Sequence, residues 1–217
     1  MSSPIEMDRL YALLHATYGP QGWWPAKSDF GMMVGAILVQ NTAWTGAARA
    51  VEQLDQAGEL SPVAIRRLGV DELGMRIRAS GYFRLKAKRL TAFCAFLQTF
   101  DDDLTQLFAL PTEPLRERLL GVYGIGEETA DSILCYAGKR AVFVVDAYTK
   151  RLFARLGWMA LEKISYGQLQ RLVHESFPAN AKTYGEFHAL IVRHAKEHCR
   201  KRPVCEGCAI SFCRART

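Results

Sequence analysis

The sequence predicts an all-α fold, and three observations support this prediction. Apolar residues recur at helical spacing along most of the 217-residue chain. Serine, aspartate, proline and glycine stand where these helical patterns begin and end. One segment, AVFVV (141–145), has strand composition, but no other segment is a suitable pairing partner. We therefore expect an extended, buried connection there and no sheet.

The N-terminal part of the chain contains three predicted helices. The first, over 5–18, has leucines at helical spacing and ends at a Gly-Pro pair. After a loop that contains glycine and proline, Ser28 or Asp29 is expected to cap the second helix, whose glycines allow close packing. The third is amphipathic, follows a break near Thr42 and extends to about residue 57.

The next part of the chain is predicted to form two short helices and a long one. Ser61 and Pro62 are typical of an N-cap and a first helical position, so they predict a helix over 62–68. Another short helix follows over 70–78. The long helix, over 84–100, begins with four basic residues that oppose the helix dipole, so a nearby anion would stabilise this end.

Three glycines in six residues, Gly121, Gly124 and Gly126, separate two helical patterns that together span about 112–137. Glycine tolerates positive φ and has no Cβ, so the backbone can turn sharply here and approach another surface closely. The amides after the turn would lie at a helix N-terminus, which favours an anion such as a phosphate. The pattern indicates a helix–hairpin–helix that grips DNA, although such a turn can also be purely structural.

A single aspartate, Asp146, stands between the apolar segment and three further predicted helices. Aspartate before a helix is often only an N-cap. After a DNA-gripping hairpin, it could instead present a carboxylate to a sugar. The helices that follow are predicted over roughly 147–156, 165–176 and 181–198.

Four of the six cysteines lie within fifteen residues of the basic C-terminal tail, with the spacing C-x5-C-x2-C-x4-C. Cys94 and Cys135 instead lie on apolar helical faces, as buried cysteines usually do. The tail predicts a four-thiolate metal site, and its spacing alone does not separate zinc from a [4Fe–4S] cluster. Lys201 and Arg202 would lie beside the metal and could contact phosphates. The predicted ligands are Cys199, Cys205, Cys208 and Cys213.

Composition favours a globular protein with a polyanionic partner. The net charge is +6 and the pI about 9.1, while apolar and charged contents of 49% and 23% are ordinary. No apolar run approaches the roughly 20 residues of a membrane-spanning helix, and the N-terminus lacks a signal-peptide core. We expect a cytoplasmic, nucleoid-associated protein without disulfides.

Two segments, Val122–Ala130 and Val145–Arg151, together resemble motifs of a known family. They are similar to the VxGIGxxTA-type hairpin and the VDxxxxR segment of the helix–hairpin–helix DNA glycosylases, specifically endonuclease III and its relatives. The resemblance covers most of the chain, from about Phe30 to the end. It implies that Asp146 is the catalytic aspartate.

The resemblance also implies an architecture of two helical lobes. A six-helix barrel would span 28–137, and the second lobe would combine 1–27 with 138–217. The cleft between them would take a base flipped out of the duplex. The cysteine loop, 199–213, resembles the cluster loop of endonuclease III with each outer gap one residue shorter, which favours [4Fe–4S] over zinc.

One departure from the family pattern concerns Glu128. The bifunctional glycosylase–lyases of this family have a lysine two positions after the hairpin glycine, and its amine attacks the sugar. A carboxylate cannot form a Schiff base. We therefore predict a monofunctional enzyme, in which Asp146 remains ionised, stabilises the sugar cation and orients or deprotonates a water molecule.

The tryptophans indicate the class of base. An electron-rich aromatic pocket attracts a positively charged base, such as 3-methyladenine. The WWP loop, the QNT turn with its nearby aromatic residue and the glutamate in the lysine position resemble the 3-methyladenine glycosylase branch of endonuclease III relatives. The predicted base-pocket residues are Trp23, Trp24, Pro25, Trp44 and Glu128.

The same resemblance assigns DNA contacts. Gln40 matches the residue that enters the gap left by the flipped base, although it could instead cap its helix. Tyr82 would be an apolar wedge, or could pack on the barrel. Lys86 and Lys88 would contact the strand backbone behind it. The hairpin contacts are predicted at Gly124, Ile125, Gly126 and Thr129.

Three alternatives remain open at this point. The first is a bifunctional endonuclease III-type glycosylase and AP lyase for oxidised pyrimidines, the second a mismatch-specific glycosylase, and the third a non-catalytic helix–hairpin–helix module that binds damaged DNA. In each case the expected partner is double-stranded DNA containing a damaged or mismatched base. The protein itself is expected to be a monomer.

Overall fold

Helices account for all the regular structure in the computed structural model, which describes residues 6–158 and 164–214; no strand occurs among them. The all-α prediction is confirmed. The chain divides into two compact units, one of Met1–Trp24 with Lys139–Thr217 and one of Pro25–Gly138. None of the described helices is long and apolar enough to cross a membrane.

Apart from α6, which was not predicted, the helices follow the predicted order, with α1 in the first unit, α2 to α8 in the second and α9 to α11 in the first again. A single turn of 3-10 helix, Arg78–Ser80, follows α4, and α8 continues into a π-helical turn, Ile133–Ala137. Their bounds are α1 Met7–Tyr18, α2 Asp29–Leu38, α3 Trp44–Gln56, α4 Pro62–Arg76, α5 Phe83–Gln98, α6 Leu104–Ala109, α7 Thr112–Leu120, α8 Glu127–Ser132, α9 Ala147–Arg155, α10 Tyr166–Ser176 and α11 Ala181–Glu197.

The helix caps in the second unit agree with the sequence. Ser28 caps α2 by accepting a hydrogen bond from the amide of Gly31 (3.0 Å), and Ser61 caps α4 in the same way. Gly69, with φ of +70°, kinks α4 at the position where two separate helices were predicted. Helix α2 is buried from Phe30 to its end and packs on α3, α5 and α8, so it is the apolar centre of this unit.

In the first unit, α11 packs on α1 and α9. The apolar segment before Asp146 is an extended, buried connection, as expected, and side chains of α10 satisfy its backbone. The amide of Phe143 donates to Nε2 of His174 (3.0 Å), and its carbonyl accepts from Gln170 (2.7 Å). The hydroxyl of Tyr166 accepts from the amide of Val145. A strand partner is unnecessary because these bonds replace a sheet ladder.

A bidentate ion pair in the second unit provides a stability prediction. Both terminal guanidinium nitrogens of Arg66 donate to the carboxylate of Asp102, at 2.8 and 2.6 Å. These hydrogen bonds hold the pKa of Asp102 below its usual value of 3.8. We expect Asp102→Asn to lower the free energy of unfolding by about 1 kcal/mol at pH 7.

The contribution of Asp102 is present above its unfolded-state pKa and is lost as the pH falls through its lower folded-state pKa. Urea unfolding should therefore show a difference between wild type and Asp102→Asn at pH 7 that shrinks on acidification below about pH 4. Asp101→Asn is the matched control, because Asp101 is adjacent and shares the positive φ. Equal effects of the two substitutions at pH 7 would contradict the prediction.

Candidate active site and nucleic-acid interface

The predicted helix–hairpin–helix is present and well supported. Gly124 has φ of +83°, the left-handed conformation that the glycine spacing predicted. Beside it Ile125 is buried and anchors the turn. An ion pair joins the two helices, since Nε of Arg116 on α7 donates to Asp131 on α8 (2.7 Å), whose side chain is fully buried. The hairpin is therefore held rigidly at its base.

Gln40, at the end of α2, bonds to the hairpin. Its Nε2 donates to the carbonyl of Gly124 (3.0 Å) and to Oγ1 of Thr129 (2.9 Å), and its Oε1 accepts from Arg89. Gln40 therefore links the end of α2 to the hairpin. Its insertion into the gap left by a flipped base stays a prediction, and it would require the side chain to exchange these hydrogen bonds for contacts with DNA. Thr129 is buried and supports the turn from inside.

The loop before α5 presents Tyr82 to solvent. Tyr82 has φ of +46° and is 69% exposed, so it does not pack into the helical unit. Its role as a wedge stays a prediction. Lys88 is exposed, as a residue that contacts phosphates must be.

The prediction that Lys86 contacts the DNA backbone is wrong. This side chain is only 1% exposed, and its ammonium donates to the carbonyls of Leu38 (2.7 Å) and Ser80 (2.6 Å). Burial, with a contribution from Arg89, lowers the pKa of Lys86 to about 8. Lys86 therefore fastens the loop before α5 to the end of α2.

Asp146 is the N-cap of α9, and one of its carboxylate oxygens is committed to that role. Oδ1 accepts from the amide of Thr149 (2.7 Å) and from its hydroxyl (2.9 Å). Oδ2 lies 3.5 Å from Nε2 of His188 on α11. Asp146 therefore does cap α9, through Oδ1. Its other carboxylate oxygen, Oδ2, takes no part in the cap and faces His188.

The electrostatics of Asp146 favour an ionised carboxylate. Burial raises its pKa, but the adjacent His188 and the hydrogen bonds from Thr149 outweigh burial and hold the pKa below its ordinary value. The side chain is largely buried and retains 8% of its surface exposed.

His188 and Trp23 complete this cluster. The ring of Trp23 meets that of His188 edge-on, with centroids 5.7 Å apart, and it meets Trp24 in a similar way. Sequence reasoning missed His188. Its signal was a titratable residue inside the otherwise apolar stretch FHALIV of α11.

The other predicted base-pocket residues belong to the second unit. Trp44 is the first residue of α3 and is half-buried, while Glu128 is exposed in the first turn of α8. Pro25 is exposed. The pocket that these residues would share with the Trp23–Trp24 pair stays a prediction.

The four tail cysteines line a single cavity, beside Leu152, Arg155 and His194. Two arginines of α9 hold the loop: Arg151 donates to the carbonyl of Cys199 (2.7 Å), and Arg155 donates to its sulfur (3.2 Å). No group of three or more His, Cys, Asp or Glu within 6–158 and 164–214 has the geometry of a metal site. The donor chemistry nevertheless fits a thiolate-bound metal centre, because four cysteines line the same cavity.

An all-α protein with a helix–hairpin–helix and a buried capping aspartate is typical of the helical DNA glycosylases. The chain belongs to the HhH-GPD superfamily of base excision DNA repair proteins, which matches residues 34–179. It is therefore a DNA N-glycosylase, and its substrate is DNA.

Known proteins show the same relationship. The chain is 41% identical over 208 residues to a proposed DNA repair glycosylase of Methanocaldococcus jannaschii, covering 94% of each chain. It is 25% identical over 191 residues to endonuclease III of Sulfolobus acidocaldarius, covering 87% of this chain and 82% of the relative.

Two solved structures are also similar. The Helicobacter pylori 3-methyladenine DNA glycosylase bound to 1,N6-ethenoadenine superposes with a TM-score of 0.75 and 29% identity, covering 87% of this chain and 96% of that one. An endonuclease III–DNA complex has a TM-score of 0.83 at 18% identity, covering 99% and 97%. The second likeness concerns the fold alone.

Proposed function

We propose that this protein is a monofunctional DNA glycosylase that hydrolyses the N-glycosidic bond of an alkylated purine, such as 3-methyladenine, in double-stranded DNA. It would act as a monomer on nucleoid DNA in the cytoplasm. The observation that carries the proposal is the buried carboxylate of Asp146, whose pKa is lowered although burial opposes ionisation. An anion maintained in such a site suits a reaction that generates a sugar cation.

In the proposed mechanism, Asp146 works through charge. Its Oδ1 is held by Thr149, so Oδ2 is the oxygen available to the reaction. A preorganised anion stabilises the developing oxocarbenium ion without reorganising. The same oxygen orients or deprotonates the attacking water. An alkylated purine carries positive charge and is a good leaving group, so a general acid is unnecessary.

Two observations support an alkylated purine. The Trp23–Trp24 pair lies beside the Asp146 cluster in the same unit, and tryptophan faces attract cationic rings. The similar H. pylori protein is a 3-methyladenine glycosylase in complex with a modified adenine. The decisive experiment is a panel of duplexes, each with one lesion, assayed for the released base. Release of alkylpurines supports the proposal, whereas selective release of oxidised pyrimidines or of mismatched bases would contradict it.

The absence of lyase chemistry is a separate prediction. Glu128 stands where the bifunctional relatives carry the attacking lysine, and a carboxylate cannot form a Schiff base. We expect borohydride to trap no covalent complex between the wild type and damaged DNA, and strand cleavage to require added alkali.

Glu128→Lys is the informative companion, because it restores an amine at this position without touching Asp146. A covalent complex of Glu128→Lys alone would show that position 128 faces the sugar. Trapping of the wild-type protein would contradict the monofunctional assignment.

We further propose that Cys199, Cys205, Cys208 and Cys213 hold a [4Fe–4S] cluster, with zinc as the less favoured occupant. The presence of all four cysteines in the lining of one cavity supports this assignment. When bound, the group would order the tail. Its role would be structural, since four protein ligands leave no open position for a substrate. Exposed Lys201 and Arg202 would then contact phosphates, as would Lys88 and the hairpin at Gly124 to Gly126.

A further inference from the structure

We infer that His188 is a positioning residue for Asp146, holding the second carboxylate oxygen in the orientation that the glycosylase reaction requires. The inference rests on the proposed catalytic role of Asp146. Both residues are buried, and Nε2 of His188 lies 3.5 Å from Oδ2 of Asp146. His188 does not itself need to touch the substrate.

The division of labour between the two carboxylate oxygens is the basis for this role. Thr149 fixes Oδ1 with two hydrogen bonds, but a single anchored oxygen leaves the carboxylate free to rotate about that point. A neighbour at Oδ2 removes the remaining freedom. Small misplacements of a reacting group lower the reaction rate strongly. Fixing Oδ2 should therefore affect the rate more than it affects the stability of the fold.

The imidazole is itself held from two directions. The backbone of α11 fixes its Cβ, because this helix packs on α9, whose N-cap is Asp146. Trp23 packs its ring edge-on against the imidazole at a centroid distance of 5.7 Å. The chain Trp23–His188–Asp146 thus connects the WWP loop to the reactive carboxylate. A base stacked on that loop would therefore be coupled, through Trp23, to the histidine that orients Asp146.

The test compares two substitutions at position 188. His188→Leu replaces the imidazole by an apolar side chain of similar size that has no N–H group. His188→Gln introduces a side-chain amide, which retains an N–H donor. We expect His188→Leu to lower the single-turnover rate of 3-methyladenine release from methylated duplex DNA by about 10- to 100-fold. His188→Gln should recover most of the rate. Binding to a duplex with a tetrahydrofuran abasic analogue should be unchanged in both variants.

Phe187→Leu is the matched control for packing. Phe187 is the preceding residue of α11, is fully buried and packs on Tyr11, Phe143 and Phe177. It should lower the melting temperature and leave the excision rate unchanged. The inference is overturned if His188→Leu excises like the wild type, or if all three variants lose rate in proportion to stability. A wild type that releases no base would instead overturn the proposed function itself, and this inference with it.

Discussion

Asp146→Asn is expected to lower the rate of base excision by at least about 100-fold while damaged DNA is still bound. The substitution removes the negative charge that stabilises the sugar cation. It should not disturb the fold, because asparagine is as good an N-cap as aspartate and can still accept from the amide of Thr149. Single-turnover excision and binding to an abasic-analogue duplex measure the two effects separately.

Asp103→Asn is a suitable control for this experiment. Asp103 is also an N-cap, of α6, and its carboxylate accepts from the amide of Thr105 (2.7 Å) with a lowered pKa. It lies in the other unit and is fully outside the Asp146 cluster. Asp103→Asn should excise like the wild type. An Asp146→Asn variant with undiminished excision would leave the N-cap as the only role of Asp146 and would contradict its catalytic assignment.

Local signals predicted the helical framework correctly. Ser28 and Ser61 form the expected caps because capping involves only residues within one turn of the helix. Gly69 interrupts α4 because the glycine adopts a positive φ, a preference that it carries in any context. The left-handed Gly124 follows from the same property. These features are encoded within a few residues, so a single sequence is sufficient to find them.

The errors and omissions involve tertiary contacts. Lys86 appeared to belong to a basic helix start, but the carbonyls of Leu38 and Ser80 converge on its ammonium only after three segments have packed. Gln40 is bonded to a hairpin more than eighty residues later in the chain. His188 is recognisable as part of the Asp146 cluster only when α11 packs on α9. No local pattern of helix or charge contains this information.

The second large effect is expected from loss of the proposed metal centre. We expect Cys208→Ser to abolish the visible absorption band, at about 400 nm, that the proposed [4Fe–4S] cluster would give the purified protein. Because Arg151 and Arg155 bond mainly to backbone carbonyls and one sulfur of the loop, they would not replace four metal–thiolate bonds. The tail over 199–214 should therefore become sensitive to limited proteolysis. Excision should weaken through loss of DNA affinity, with a smaller salt slope, since Lys201 and Arg202 would no longer be ordered.

Cys94→Ala separates this effect from the loss of any cysteine. Cys94 is buried in α5 in the other unit, and burial raises its pKa to about 12, so it remains a thiol and a poor metal ligand. Its replacement should keep the absorption band and the protease-resistant tail. A colourless wild type with one zinc per chain would assign the site to zinc, because Zn²⁺ itself does not absorb visible light. A wild type that contains neither metal, and whose tail resists proteolysis as well as that of Cys208→Ser does, would show that the arginines of α9 order the loop without a metal.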